Sequence, residues 1–194
     1  MTYTVQRFAS FEEYLTADSS DLPEGRYEYW DGELVEVMTE SVFNDGLANY
    51  LYLLLVQAGI YYQVLRPHSC EIEVIGRPKT RFPDLTILDE VHPTLMGKNN
   101  RVTRRMPPPR VLVEVVSPGH ETSENYVRDY RDKPAQYAAI GVPEVWLIDP
   151  SRAWVQVGTL TDGAYQYQTF MGEETLVSPT FPELNLTAAI VLAG

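Results

Sequence analysis

Between residues 111 and 116 the chain reads Val-Leu-Val-Glu-Val-Val, five aliphatic side chains interrupted by one carboxylate. An apolar run this short has the length of a buried strand, not of a helix. An ionised side chain in that setting is tolerated when it is paired, hydrogen-bonded or bound to a metal. The fold must therefore bring a partner to Glu114. The alternative is a strand at a sheet edge, where alternation turns Glu114 to water and an arginine pairs with it.

The segments around this strand have clear signals of their own. Phe8, Phe11, Tyr14 and Leu15 recur at helical spacing about Ser10, and Glu13 completes a capping box, which predicts a short helix. Residues 26–37 predict a hairpin about Asp31-Gly32, a pair that accepts the positive φ of a tight turn. A long helix is expected over 43–56, with Phe43, Leu47, Tyr50, Leu51 and Leu54 on one face, Ser41 as N-cap and Gly59 as the stop. Strands are expected at 61–65, 70–74, 85–88, 111–116 and 145–148, and a last hairpin joins 153–157 to 165–170 over Thr161-Asp162-Gly163. Residues 125–140 predict a second long helix ended by Gly141, with Pro134 inside it forcing a kink or a start near Lys133. Helix, several strands, helix and strand in that order indicate an α/β or α+β sandwich around one mixed sheet. At 194 residues, one domain (1–194) is the expectation.

Charge narrows the partners. A formal net charge of −12 argues against a protein that gains its affinity by covering phosphates with lysine and arginine. It does not exclude a nucleic-acid enzyme, because a metal ion changes the local sign of a carboxylate site. Lys98, Arg101, Arg104, Arg105 and Arg110 form the dense basic stretch, in a proline-ended segment read as a solvated loop. No apolar run reaches the roughly 18 residues of a membrane span, and the first residues lack the pattern of a signal peptide, so a cytoplasmic, membrane-free protein is expected. The lone Cys70, inside the alternating Ser69–Val74, reads as a buried small hydrophobe.

Asp84 supplies a second carboxylate, placed by Arg81-Phe82-Pro83-Asp84 at the start of the apolar strand Leu85–Leu88. Alone it reads as a turn cap. If its strand neighbours that of Glu114, the two carboxylates converge on a hard cation such as Mg²⁺, which prefers oxygen ligands and keeps several waters. The Val115 carbonyl could add a further oxygen.

Taken together, several segments resemble the Uma-two family of endonucleases, within the PD-(D/E)XK restriction-endonuclease-like superfamily. The resemblance runs from about Tyr27 to Pro150 and rests on five pieces in order: Tyr27–Val35, Pro83-Asp84-Leu85, Val113–Pro118, Lys133 followed by Tyr137, and Gly141–Pro150. It implies an α/β restriction-endonuclease-like core, a central mixed sheet flanked by helices, with extra C-terminal strands. It implies a metal-dependent nuclease hydrolysing phosphodiester bonds in DNA, with Asp84 and Glu114 holding Mg²⁺ or Mn²⁺ and acting with Lys133 in catalysis. The superfamily pattern puts a lysine two residues after the acidic residue, where this chain has Val116; the resemblance moves that role to Lys133 on the following helix. A histidine frequent near the start of the first long helix is replaced by Asn44, a poor proton acceptor.

The competing reading is a catalytically degenerate restriction-like module that binds nucleic acid or protein; a hydrolase of small phosphoesters is a third. Two-strand cleavage calls for two active sites, so a homodimer is compatible with the nuclease reading, with apolar surface on the C-terminal hairpin as its contact. His68, His92 and His120 lie in loops without paired ligand spacing and read as surface or loop-stabilising residues. Tyr137 is expected to pack its helix on the sheet with its hydroxyl in reach of the site. Glu71 and Glu73 share one strand face, either beside the site or on the wet side. Ser117–His120 lacks the Gly-x-Ser-x-Gly setting of a serine nucleophile, and no glycine-rich phosphate loop is present.

Overall fold

The computed structural model describes residues 7–17, 22–37 and 41–194. In chain order the elements are α1 (Phe11–Thr16), β1 (Tyr27–Trp30), β2 (Glu33–Glu36), α2 (Val42–Gln57), β3 (Leu65–Pro67), β4 (Glu71–Glu73), β5 (Thr80–Arg81), β6 (Leu85–Ile87) and α3 (His92–Leu95). They continue with β7 (Arg101–Val102), β8 (Val111–Val115), α4 (Glu124–Val127), a π-helical turn (Arg128–Asp132), α5 (Lys133–Ala139), β9 (Glu144–Asp149), β10 (Trp154–Thr161), β11 (Ala164–Met171) and α6 (Ala188–Val191).

Six strands make the central mixed sheet, in the order β11-β10-β9-β8-β6-β3. Strands β8 and β9 run parallel and their neighbours run antiparallel. Parallel neighbours need a crossover, and here α4, the π turn and α5 supply it. Strand β8 pairs on one side with β6 and on the other with β9, and all five of its residues are buried. Glu114 therefore stands in the sheet interior, so the edge alternative is excluded and its partner must come from within the protein.

Helix α2 packs Leu47, Ala48, Leu51 and Leu55 into the core with no exposed surface. The Ser41 hydroxyl accepts from the Asn44 amide as N-cap, and Gly59 ends the segment at φ +92°. The apolar stripe is offset from the expected one. Phe43 is 53% exposed, while Asn44 is buried because its side-chain amide donates to the Val115 carbonyl at 3.5 Å. A hydrophobic pattern cannot register a polar residue drawn inward by a backbone acceptor.

The expected disturbance at Pro134 is a π turn. Proline removes an amide donor and crowds the carbonyl four residues back; the Lys133 amide instead donates five residues back, to the Arg128 carbonyl. The helix is thus widened rather than broken, which keeps Asp129 and Lys133 on a common face. Both tight hairpin turns are as expected: Asp31 and Gly32 have φ of 46° and 101°, and Asp162 and Gly163 have 51° and 82°, the left-handed pair that type I′ turns require.

Three expectations are corrected. Tyr62–Val64 is a 3₁₀ turn, so β3 starts only at Leu65. The segment 98–109 contains β7, which lies parallel to β4 in a separate three-stranded sheet ordered β5-β4-β7. Arg101 is accordingly not solvated: it is buried, donates to Glu71, and places its guanidinium 4.4 Å from the Tyr14 ring centre. Tyr14 also donates to Glu71, which makes that glutamate the centre of a structural cluster tying α1 to the small sheet. Arg104 and Arg105 do remain exposed. Cys70 is buried as expected, and burial lifts its thiol pKa to about 12. The short helix α6 had no counterpart in the sequence reading; it packs on α2, β10 and β11.

Candidate active site

The pairing of β6 with β8 sets Leu85 opposite Val113. Continued by one residue, this register sets Asp84, just ahead of β6, opposite Glu114, and the neighbouring Val115 amide donates to Asp84 Oδ2 at 2.7 Å. The carboxylate thus takes the place of the next backbone acceptor in the ladder. Asp84 is 2% exposed and Glu114 is fully buried one residue along β8. The two expected site carboxylates are brought together by adjacent strands.

Glu114 receives two donors from α5. Lys133 Nζ donates to Oε2 at 2.6 Å and the Tyr137 hydroxyl donates to Oε1. The first turn of α5 places both, since residues four apart lie on one helix face. Lys133 also lies 3.3 Å from Asp129 Oδ1. Asp129 in turn accepts from the Ser117 amide at 3.1 Å and from Arg128 Nε at 2.8 Å. Burial opposes charging Lys133, but Glu114, Asp129 and Asp84 outweigh it and hold the ammonium above the ordinary lysine range. Burial pushes the Glu114 carboxyl up and Asp84 adds to this, with Lys133 pulling the other way. Asp129 is held below the usual carboxylate range: burial is overcome by Lys133 and Arg128. Tyr137 stays a phenol, raised by burial and by Glu114.

A cleft of about 390 Å³ lies over this cluster, with Glu28, Asn44, Phe82, Ser117, Arg128 and Lys133 among its walls. Lys133 is the side chain that both touches Glu114 and lines the cleft. Asn44 has the same double position, since it bonds the Val115 carbonyl and faces the cleft. Behind them Arg81 ties the walls together, donating to Gln136 of α5 at 2.8 Å and to Glu28 of β1 at 3.1 Å. A smaller cavity of about 200 Å³ beside Pro107–Pro109 has, among the described residues, Glu73 and Arg104 as its charged lining and no comparable cluster.

This arrangement of strand-borne carboxylates and a helix-borne lysine can be set against known proteins. A model of the Uma2 (Uma-two) family, described as "Putative restriction endonuclease", matches residues 11–189. The chain belongs to the Uma2 family. Among solved structures it is similar to a protein of Anabaena variabilis ATCC 29413 described as "a putative nuclease belonging to DUF820". The TM-score is 0.64 at 16% identity, covering 94% of this chain and 96% of that one. That likeness is one of fold, which in this chain is an α/β arrangement with a central mixed sheet of six strands. No curated protein matches the chain.

Within the Uma2 fold, the Val116 position is buried and apolar, and the amine reaches Glu114 from α5 instead. Sequence reasoning missed two neighbours. Asp129 carries no local signal of its own within the helix expected over 125–140, and its burial follows from the π turn and the Ser117 amide. His68, expected as a surface or loop-stabilising residue, has its Nδ1 3.6 Å from Asp84 Oδ1 and its Nε2 3.3 Å from Asp45 Oδ1. His92, expected in a loop, instead opens α3 and is fully buried, bridging the Asp89 amide and the Pro107 carbonyl; His120 stays on the surface.

Among the described residues no three of His, Cys, Asp and Glu converge as a self-sufficient metal cage. Mg²⁺ does not ask for one, since it is commonly bound by one or two carboxylates and retains waters. Asp84, Glu114 and Asp129 outnumber the cations Lys133 and Arg128 at the cluster, and the Val115 carbonyl, which accepts from Asn44, is a further oxygen on the strand that carries Glu114. The donor set, all oxygen and net negative, fits a hard divalent ion. Among the described residues no helix is long and apolar enough to cross a membrane.

Proposed function

We propose that this Uma2-family protein is a metal-dependent nuclease that hydrolyses phosphodiester bonds in DNA, with Mg²⁺, or Mn²⁺ in its stead, held by Asp84 and Glu114. The observation that carries this reading is the buried pair of carboxylates on adjacent strands, touched by a lysine that also lines an open cleft. When bound, the ion supplies Lewis acidity to a phosphate oxygen and lowers the pKa of a water. The protein's own residues do the rest. The Val115 amide fixes the rotamer of Asp84, and Tyr137 fixes that of Glu114. Lys133, held charged by Glu114 and Asp129, presents an ammonium at the cleft to offset negative charge that grows on the phosphate in the transition state. Arg128 adds a second positive side chain to the cleft wall.

Two-strand cleavage needs two such sites, and we infer a homodimer for that purpose. Partly exposed Tyr167 and Met171 of β11 offer apolar surface for it. Light scattering that finds only monomer at working concentrations would remove this part of the proposal.

A second reading is favoured by one observation: both Glu114 oxygens are already hydrogen-bonded, by Lys133 and Tyr137. A degenerate module would keep this cluster as structure and bind nucleic acid or protein without cutting. The experiment that separates the two incubates the pure protein with supercoiled plasmid, circular single-stranded DNA and RNA in Mg²⁺, Mn²⁺, Ca²⁺ or EDTA. The nuclease reading expects cleavage of DNA in Mg²⁺ or Mn²⁺ and none in EDTA. Intact substrates in every buffer, with retained binding in a gel shift, would support the module.

A further inference from the structure

His68 combines three properties that its loop does not require. Its φ is +50°, in the left-handed region where a residue with a Cβ is disfavoured. Its imidazole is mostly enclosed, with 15% of the side chain exposed, and neither ring nitrogen makes a hydrogen bond within the protein. The ring nonetheless sits between two carboxylates, Asp84 at 3.6 Å from Nδ1 and Asp45 at 3.3 Å from Nε2. The main chain sets this placement, because the His68 amide donates to the Asp84 carbonyl at 2.9 Å, just beyond the pairing of β3 with β6. A costly backbone conformation that delivers a polar ring to a carboxylate is the kind of outlier from which a functional role is argued.

The effect on Asp84 follows from its two oxygens. Oδ2 is fixed by the Val115 amide, and Oδ1 is the oxygen that His68 faces. An amide donor on Oδ2 and the imidazole facing Oδ1 at 3.6 Å together limit the torsion and the position of the carboxylate. Asp45 belongs to the first turn of α2 and is more than half exposed, so the ring also links the buried carboxylate to that helix. Burial lowers the basicity of the imidazole, but Asp84 and Asp45 outweigh it.

We propose that His68 is a positioning residue of the nuclease site, holding Asp84 Oδ1 in the orientation that receives the divalent ion and anchoring it to the start of α2 through Asp45. This rests on the reading of Asp84 as a metal ligand given above. Outer partners of metal ligands commonly change metal affinity or activity by about 10–100-fold when removed, and His68 belongs in that range.

Two substitutions separate the ring from the backbone. His68→Gly accepts the left-handed φ and removes the donor. His68→Asn also tolerates that φ and keeps an N–H donor near the place of Nδ1. Mn²⁺ titration followed by the rise in melting temperature, together with plasmid cleavage in Mg²⁺, is measured for parent and both variants. The expected result is that His68→Gly melts no lower than the parent without metal, yet binds Mn²⁺ at least about tenfold more weakly and cuts correspondingly slower, while His68→Asn recovers most of both. A His68→Gly protein that binds and cuts like the parent overturns the proposal alone, and so does His68→Asn failing as badly as His68→Gly. A parent that neither responds to Mn²⁺ nor cuts overturns the proposal together with the nuclease reading.

Discussion

Replacing Lys133 by methionine keeps the length and apolar stem of the side chain and deletes the charge that compensates Glu114. The two groups meet at 2.6 Å, and neither is more than 8% exposed. Removing one partner of a buried ion pair costs roughly 3–5 kcal/mol when the other stays ionised. Glu114 has an escape, because its pKa is already raised and, without Lys133, it rises further. At neutral pH the variant can take up a proton there and keep the bond from Tyr137, so the low end, about 3 kcal/mol, is the better figure. For a chain of this size that is a fall in melting temperature of roughly 6–12 °C. The sign of the pH dependence follows from linkage. A carboxyl whose folded pKa lies above its unfolded one destabilises the fold above the folded pKa, and the penalty disappears as the pH falls to the unfolded value, where both states carry the proton. Melting curves in EDTA at pH 8 and pH 5 should therefore show the deficit of Lys133→Met shrinking by about half or more. The double variant Lys133→Met/Glu114→Gln should regain most of the loss at pH 8. A deficit that is the same at both pH values, and is untouched by the second substitution, would refute the claim that the lysine compensates a buried glutamate.

Other consequences are simpler. Asp129→Asn should cost about 1–3 kcal/mol at pH 7. Because the Asp129 pKa is depressed, its contribution is present above the unfolded carboxylate pKa and lost as the pH falls through the folded one, so the melts of parent and variant should draw together as the pH is lowered into the acid range below the unfolded value. Leu51→Ala, at a fully buried position on α2, should lower stability by about 2–5 kcal/mol in urea titrations while metal-dependent cleavage by the folded fraction is unchanged. Arg101→Met should destabilise by roughly 3 kcal/mol or more because it leaves Glu71 buried without its cation; a variant as stable as the parent would return Arg101 to the solvated loop first expected.

The expectations that held were carried by local chemistry. Val111–Val116 could be nothing but a strand, and its single carboxylate required a partner wherever the strand lay. Asp-Gly pairs at 31–32 and 162–163 specified their turns without tertiary help. The proximity of Asp84 and Glu114 needed only the inference that their strands are neighbours, which the β6–β8 register bears out. What escaped was set by distant contacts. Arg101 lies in a basic, proline-rich stretch, and nothing local indicates that Glu71, thirty positions earlier, and Tyr14 will enclose it. Asp129 depended on a helical register altered by a π turn. His68 depended on a left-handed backbone that histidine seldom adopts, so a loop residue with no partner in sequence stands against the site.

The central claim is that Asp84 and Glu114 form a metal site that cuts DNA, and nicking of supercoiled plasmid by the parent, Asp84→Asn and Glu114→Gln in Mg²⁺ tests it most directly, with each protein first shown to melt cooperatively. The account predicts nicking by the parent that EDTA abolishes and no detectable nicking by either variant. Equal nicking by all three folded proteins would contradict it, because the reaction would then proceed without the carboxylates around which the site is built.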